Sequence, residues 1–238
     1  NDMVSQIWND RILIYEEKLE NQKLVIQNLH SQIDPHFFSN TLNLIYNLIA
    51  INRNDVAKKA LILLSSYYRF MCNLDRKLIS LKKEIDFICN YLEIMKLRFP
   101  EKLDIQLSFD ETLGKLKIPP MLLQPLVENS IHHGISRTRS AGIVRVHVYR
   151  QGDLVFIDVE DNGKGISPDR LEEIRDAMEN GNGLKQEQGG IGLCNVHHRL
   201  QIYFGGRSGL SLYSMQNHNR PKRWEQKSRA VLLCRRSN

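Results

Sequence analysis

Along the first part of the chain, Ser5, Trp8, Ile12, Tyr15, Leu19, Gln22, Ile26, Leu29 and Ile33 recur at alternating spacings of three and four. That is the 3.5-residue period of a coiled-coil seam, and it predicts a parallel helical dimer over residues 1–33. Ser5 and Gln22 weaken the seam, so an amphipathic helix packed on its own domain is the alternative. Asp34-Pro35 interrupts the pattern, with the proline either opening a new helix or kinking the old one. Three further helices are expected over 36–52, 55–74 and 82–98, each with a wide apolar stripe such as Ala57, Leu61, Leu64, Tyr68 and Met71. From Leu103 the period changes to that of strands, over 103–109, 143–150, 154–160 and 209–214. Between them, helices are expected at Met121–His133 behind Pro119-Pro120, from Ser167-Pro168 to Met178, and over 191–204. The pattern predicts an all-helical module followed by an α/β sandwich.

Composition adds bounds. At 238 residues with 42% hydrophobic content, two modest domains can each bury a core. No stretch reaches the roughly 18 apolar residues of a membrane span. The first residue is Asn1 and not Met, from which a fragment is expected, with a sensor or membrane portion left out. Cys72, Cys89, Cys194 and Cys234 form no CxxC pair, and buried reduced thiols are expected. The net charge of +6 sits in residues 220–238, where seven Lys/Arg face one Glu, so residues 1–219 are neutral overall. A basic chain end is a poor nucleic-acid surface, and no nucleic-acid partner is expected.

Three constellations carry candidate chemistry. Leu123-Gln124-Pro125-Leu126-Val127-Glu128-Asn129-Ser130-Ile131-His132-His133-Gly134 places Glu128, Asn129, His132 and His133 within about one helical turn, where they would suit a metal-phosphate or simply form a solvated helix face. Asp161-Asn162-Gly163-Lys164-Gly165 follows an alternating strand. A carboxylate there can accept from an exocyclic amine, and the glycines let backbone approach a flat ring, although Asp-Asn-Gly is also ordinary turn chemistry. Gly189-Gly190-Ile191-Gly192-Leu193 opens a helix, whose first N–H groups and dipole attract an anion. The glycine spacing is neither that of a Walker loop nor that of a Rossmann unit.

Taken together, in order and spacing, these segments resemble the asparagine box and two glycine boxes of the GHKL ATPase superfamily over about residues 100–214. The resemblance implies a Bergerat-type α/β sandwich that binds ATP with Mg²⁺. It implies that Asn129 holds Mg²⁺, that Asp161 binds the adenine amine, and that Gly189–Gly192 borders a lid over the phosphates. It makes Glu128, His132 and His133 pocket residues, together with Gly163, Gly165, Ile166, Ile191 and Leu193.

Gln32-Ile33-Asp34-Pro35-His36-Phe37-Phe38-Ser39-Asn40-Thr41-Leu42-Asn43 resembles the phosphoacceptor box of the LytS/YesM-type sensor kinases. Tyr91-Leu92-Glu93-Ile94 through Arg98-Phe99 is also similar to that family, so the resemblance runs from His30 to Ser214. The implied organisation is a signalling coiled coil (1–33), a helical dimerisation and phosphoacceptor region (34–100) and an ATP-binding domain (101–238), α+β overall. It implies a homodimer that phosphorylates His36 and passes the phosphoryl group to an aspartate on a response-regulator receiver domain. The whole would be the cytoplasmic part of a bacterial sensor, reaching the membrane only through a segment absent from this chain.

The residues around His36 agree. Positions 36, 40, 43 and 47 are His, Asn, Asn and Asn, a polar stripe, while Phe38, Leu42, Ile45 and Ile49 form an apolar one, so His36 is expected to face solvent. An imidazole of unperturbed pKa near 6.5 is mostly neutral at cytosolic pH and attacks through a free ring nitrogen. Phe37 stands where many histidine kinases place an acid, which leaves Asp34, Asn40 or a carboxylate from another helix to orient the ring. Asn40 and Glu128 are therefore carried as catalytic candidates beside His36. The competing functions are another use of the nucleotide fold, as an ATPase or Ser/Thr kinase, and a catalytically silent ATP-responsive dimer. Past Ser214 the chain departs from the family: Met215–Ser228 is basic and lacks glycine, predicting a mobile loop, and 230–234 is expected to pair with the sheet. The rival expectation is a foreign tail that leaves the sheet edge open.

Overall fold

The structure is a computed structural model and describes residues 35–73, 78–135, 141–180, 190–205, 208–214 and 228–235. The predicted seam over 1–33, Asp34, Gly189 and the loop 215–227 lie outside the described residues. By its contacts the chain divides into residues 1–57 and 58–238.

In the first unit, α1 spans Pro35–Ala50. It ends in a Schellman turn: Asn52 takes φ 58°, and the N–H groups of Asn52 and Arg53 donate to Ile49 and Leu48 carbonyls at 2.9 and 2.8 Å. The helix stops at Ala50 and not at residue 52 because the left-handed asparagine ends it. Its buried stripe is Phe37, Thr41, Ile45 and Leu48. This corrects the expected apolar stripe by one position, since Leu42 and Ile49 are exposed; Thr41 can be buried because its hydroxyl donates to the Phe37 carbonyl at 2.7 Å. Helix α2, Asn54–Cys72, begins in the first unit and ends in the second.

In the second unit, α2 buries Ala60, Leu64, Tyr67 and Met71, whereas Leu61 is exposed and Tyr68 half-buried, so the core-facing stripe turns toward Tyr67. Phe87 lies between two rings, its centroid 4.8 Å from that of Tyr67 and 4.1 Å from that of Phe70. Phe87 belongs to α3, Leu81–Arg98, which is capped by the Ser80 hydroxyl and buried along a wide face. A short ribbon pairs β1, Ile79–Ser80, with β3, Lys117–Ile118. Two-residue strands and a 3₁₀ turn at Glu111–Leu113 leave no periodic signal, and the sequence pattern did not predict them.

The main sheet has the order β2-β4-β5-β7-β6, with β2 at Leu103–Phe109, β4 at Gly142–Gln151, β5 at Leu154–Asp161, β6 at Gly209–Ser214 and β7 at Ser228–Arg235. Only β2 and β4 run parallel. One face carries the buried Val144, Val146, Val148, Ile157, Val159, Leu210 and Leu212, in a register that pairs Val146 with Val159 and Leu210 with Leu232. Asp161 lies on this same face, opposite Val144, at the end of β5. The other face carries an Arg145–Glu160 ion pair at 3.2 Å and a stacked Tyr149–Phe156 pair. The expected pairing of 230–234 is present, and it is internal: β7 bonds to β5 on one side and β6 on the other. The foreign-tail alternative is therefore corrected.

Helix α4 covers only Gln124–Asn129 and continues as a π-helical turn, Ser130–Ile135, that packs on β4 and β5. The expected start at Met121 is corrected, because Met121 adopts φ 58° and cannot join a right-handed helix. Helices α5, Pro168–Asn180, and α6, Ile191–Phe204, pack against each other and against β6. Among the described cysteines the expected burial is not met: Cys72 is exposed at the end of α2, and Cys89 and Cys194 are half-buried, with burial pushing both thiols up. These three are free thiols.

Candidate functional site

The segments with candidate chemistry converge in the second unit. The Asp161 carboxylate is buried, 6% exposed, and accepts the Gly163 N–H at 2.8 Å, which turns the chain back beyond β5. Asn162 is structural: its side-chain oxygen accepts the Ile143 N–H at 2.6 Å and closes the end of the β4–β5 pair. Gly165 takes φ 76°, a conformation that favours glycine, and the next N–H, from Ile166, donates to the Ser214 hydroxyl at 2.7 Å. The first glycine segment is thus pinned to the end of β6.

Gly190 precedes α6 with φ 93°, and its carbonyl accepts from Leu193 and Cys194 at 3.1 and 3.2 Å. The N–H groups of Ile191 and Gly192 have no acceptor within the helix, as at any helix start. A Cβ at position 192 would stand 3.3 Å from Pro125 Cβ. This close approach sets the first turn of α6 against the first turn of α4, bringing the second glycine segment beside the asparagine segment.

On α4, Glu128 and Asn129 are half-buried, and His132 is half-buried in the π turn. The His133 backbone belongs to that turn, and its side chain lies outside the described ones. Gln124 is 2% exposed and donates to Glu128 at 2.6 Å and to the Tyr67 hydroxyl at 3.3 Å, so a buried amide aims the Glu128 carboxylate. The sequence pattern gave Gln124 no such role and gave no signal for Tyr67, since the stripe expected on α2 ran through Tyr68. It also missed Glu84, wholly buried, whose Oε2 and Oε1 accept the N–H groups of Met121 and Leu123 at 2.9 and 3.0 Å. His36 is exposed on the first turn of α1 and Asn40 is half-buried one turn later, both in the first unit.

Among the described residues no group of three or more His, Cys, Asp or Glu side chains forms a metal site. Mg²⁺ does not need one, because it keeps several waters and takes a few oxygen ligands alongside substrate phosphates. A half-buried Asn129 amide, one turn along α4 from the Pro125 that meets Gly192, fits that requirement.

Comparison with known proteins decides the family. A histidine kinase model matches residues 24–103, and the model of the histidine kinase-, DNA gyrase B- and HSP90-like ATPases matches 119–230. Sensor protein LytS of Bacillus cereus is 32% identical over 223 residues, covering 90% of this chain and 36% of that protein. The chain belongs to the histidine kinase family. Sensor histidine kinase YpdA of Escherichia coli is 39% identical over 184 residues, covering 77% of the kinase chain and 31% of its own. The catalytic domain of the histidine kinase ThkA aligns with 66% of the kinase chain and 93% of its own at 16% identity and a TM-score of 0.44. The kinase chain spans about a third of the length of the curated relatives it matches. The ATPase match continues past Ser214 into β7, in keeping with the inner position of that strand.

Proposed function

We propose that this chain binds ATP·Mg²⁺ in its second unit and transfers the γ-phosphoryl group to His36, for delivery to an aspartate on a response-regulator receiver domain. The observation that carries the proposal is the convergence of a buried strand-end carboxylate, Asp161, with the glycine-opened helix α6 packed against the asparagine-bearing α4. In it, Asp161 accepts the adenine amine, Gly163, Gly165 and Ile166 shape the ring slot, and the Gly189–Leu193 segment faces the phosphates. Asn129 supplies an oxygen to Mg²⁺, Glu128 and His132 line the pocket with His133, and His36 presents its imidazole from an exposed helical position. When bound, Mg²⁺ supplies charge neutralisation on the β- and γ-phosphates; the chain itself contributes positioning. The functional division into 1–33, 34–100 and 101–238 belongs to the same proposal, as do Asn40 as a neighbour that orients His36 and membrane attachment through a segment outside this sequence.

Incubation with γ-labelled ATP tests it. Acid-labile, base-stable label is expected on the wild-type chain and none on His36→Gln, which retains ATP affinity. Asp161→Asn is expected to weaken ATP binding about ten- to a hundredfold, since hydrogen bonds to charged groups contribute roughly 1.5–3 kcal/mol. Label retained by His36→Gln moves the acceptor elsewhere. ATP binding with no label on the wild type favours a silent, ATP-responsive dimer.

A further inference from the structure

Glu84 has no part in the nucleotide reading, yet it is the carboxylate most completely removed from water in the described structure, with no exposed surface. It sits in the first turn of α3, and burial pushes its carboxyl above the ordinary range while its two backbone donors and Arg199 pull the other way. The N–H groups it binds belong to Met121 and Leu123, in the segment that runs directly into α4. The same segment is held to α3 from behind: Leu81 N–H donates to the Leu116 carbonyl at 2.7 Å, and Lys82 N–H to the Gly114 carbonyl at 3.1 Å. From α6, Arg199 donates to the Pro120 carbonyl at 2.5 Å, and its charge acts on Glu84. Met121 is kept at φ 58°, which a methionine adopts only where its surroundings fix it.

Stability alone does not ask for this arrangement, because a buried charge pair is often replaced by packed apolar side chains at no loss. What two directional bonds to successive N–H groups add is position. Glutamine cannot substitute, since it has one accepting oxygen and would set an NH₂ group against a backbone donor. We propose that Glu84 is a positioning residue for the nucleotide site: with Arg199 it fixes the start of α4 on α3 and α6, and so fixes where Asn129 meets the metal-bound phosphates. The inference rests on the ATP·Mg²⁺ reading above and assigns α3 a direct mechanical hold on that site.

The test compares the full chain with Glu84→Gln, measuring affinity for ATP with Mg²⁺, for ATP with chelator, and for adenosine. The wild type is expected to gain affinity from Mg²⁺. Glu84→Gln is expected to lose that gain by tenfold or more while adenosine binding, which depends on Asp161, stays within about threefold. Amide exchange without nucleotide should accelerate at Met121 and Leu123. A folded variant that keeps the Mg²⁺ gain, or loses adenosine binding to the same extent, overturns the proposal. Should Glu84→Gln fail to fold, Glu84→Asp keeps both acceptors but withdraws them by a methylene, and the same two outcomes decide. A wild type that binds no ATP removes the nucleotide reading and this role with it, whereas a Mg²⁺ gain that survives in the variant removes only the role.

Discussion

His197 shows how one side chain ties the glycine-opened helix to the sheet. Its Nδ1 lies 3.2 Å from the Leu210 N–H and 3.3 Å from the Leu210 carbonyl, and a Cβ on Gly209 would come within 3.0 Å of the ring. Burial lowers its pKa below the ordinary value near 6.5 and nearby His198 adds to this, while the Leu210 bond and Glu179 oppose it. With a lowered folded pKa, the unfolded chain takes up the proton first as pH falls. The stabilising contribution is therefore complete above the ordinary histidine range and is lost as pH drops through the lowered folded value. Melting wild type and His197→Gln from pH 7.5 to about 5 should show their difference shrink as the medium acidifies; a constant difference would remove His197 as the titrating group. Residues of this kind divide sharply in how legible they were. Asp161 and the glycines were found because their chemistry is local to a few positions. Glu84 and Tyr67 were not, because a glutamate in the first turn of a helix reads as a solvated charge until the wrapping of residues 114–123 is known.

At the scale of elements, the long periodic segments were legible: the helices over Leu81–Arg98 and Ile191–Phe204 and the hairpin of β4 and β5 start and stop within one or two residues of expectation. The short pieces were not, since β1, β3 and the late start of α4 depend on bonds between α3 and a segment some 35 residues away. The inner place of β7 was half legible, as strand character without position. Its place makes a prediction. Val231 is buried and stands directly opposite Asp158, so Val231→Asp puts a second carboxylate beside the first in a site closed to water. An uncompensated buried charge costs roughly 3–5 kcal/mol. For a chain of this size that corresponds to a fall in Tm of about 6–20 °C. A melt within about 2 °C of wild type, on that scaling, would argue that the strand does not sit between β5 and β6.

For the whole molecule, self-association is the quantity to measure. Leu42, Tyr46 and Ile49 are exposed at helical spacing on α1, a face that supports self-association, and the seam over residues 1–33 would extend it. Removing residues 1–30 should weaken the dimer by more than tenfold, because each apolar seam residue contributes on the order of 1.5–3 kcal/mol when buried. Charging Leu42 as Leu42→Asp should weaken what remains. Sedimentation equilibrium giving one dimer constant for all three proteins would leave the seam without a role. The sheet order also has a meaning in time. Among the described residues strand β6 has no neighbour in the sheet except β7, and the last residue of β5, Asp161, is paired on one side by Ser228. On a ribosome both must wait, since β7 is translated after every other described strand of the sheet. A nascent chain that already carries all of its proposed nucleotide-binding residues still holds them on an unfinished sheet, and the final strand converts that open half into a closed one.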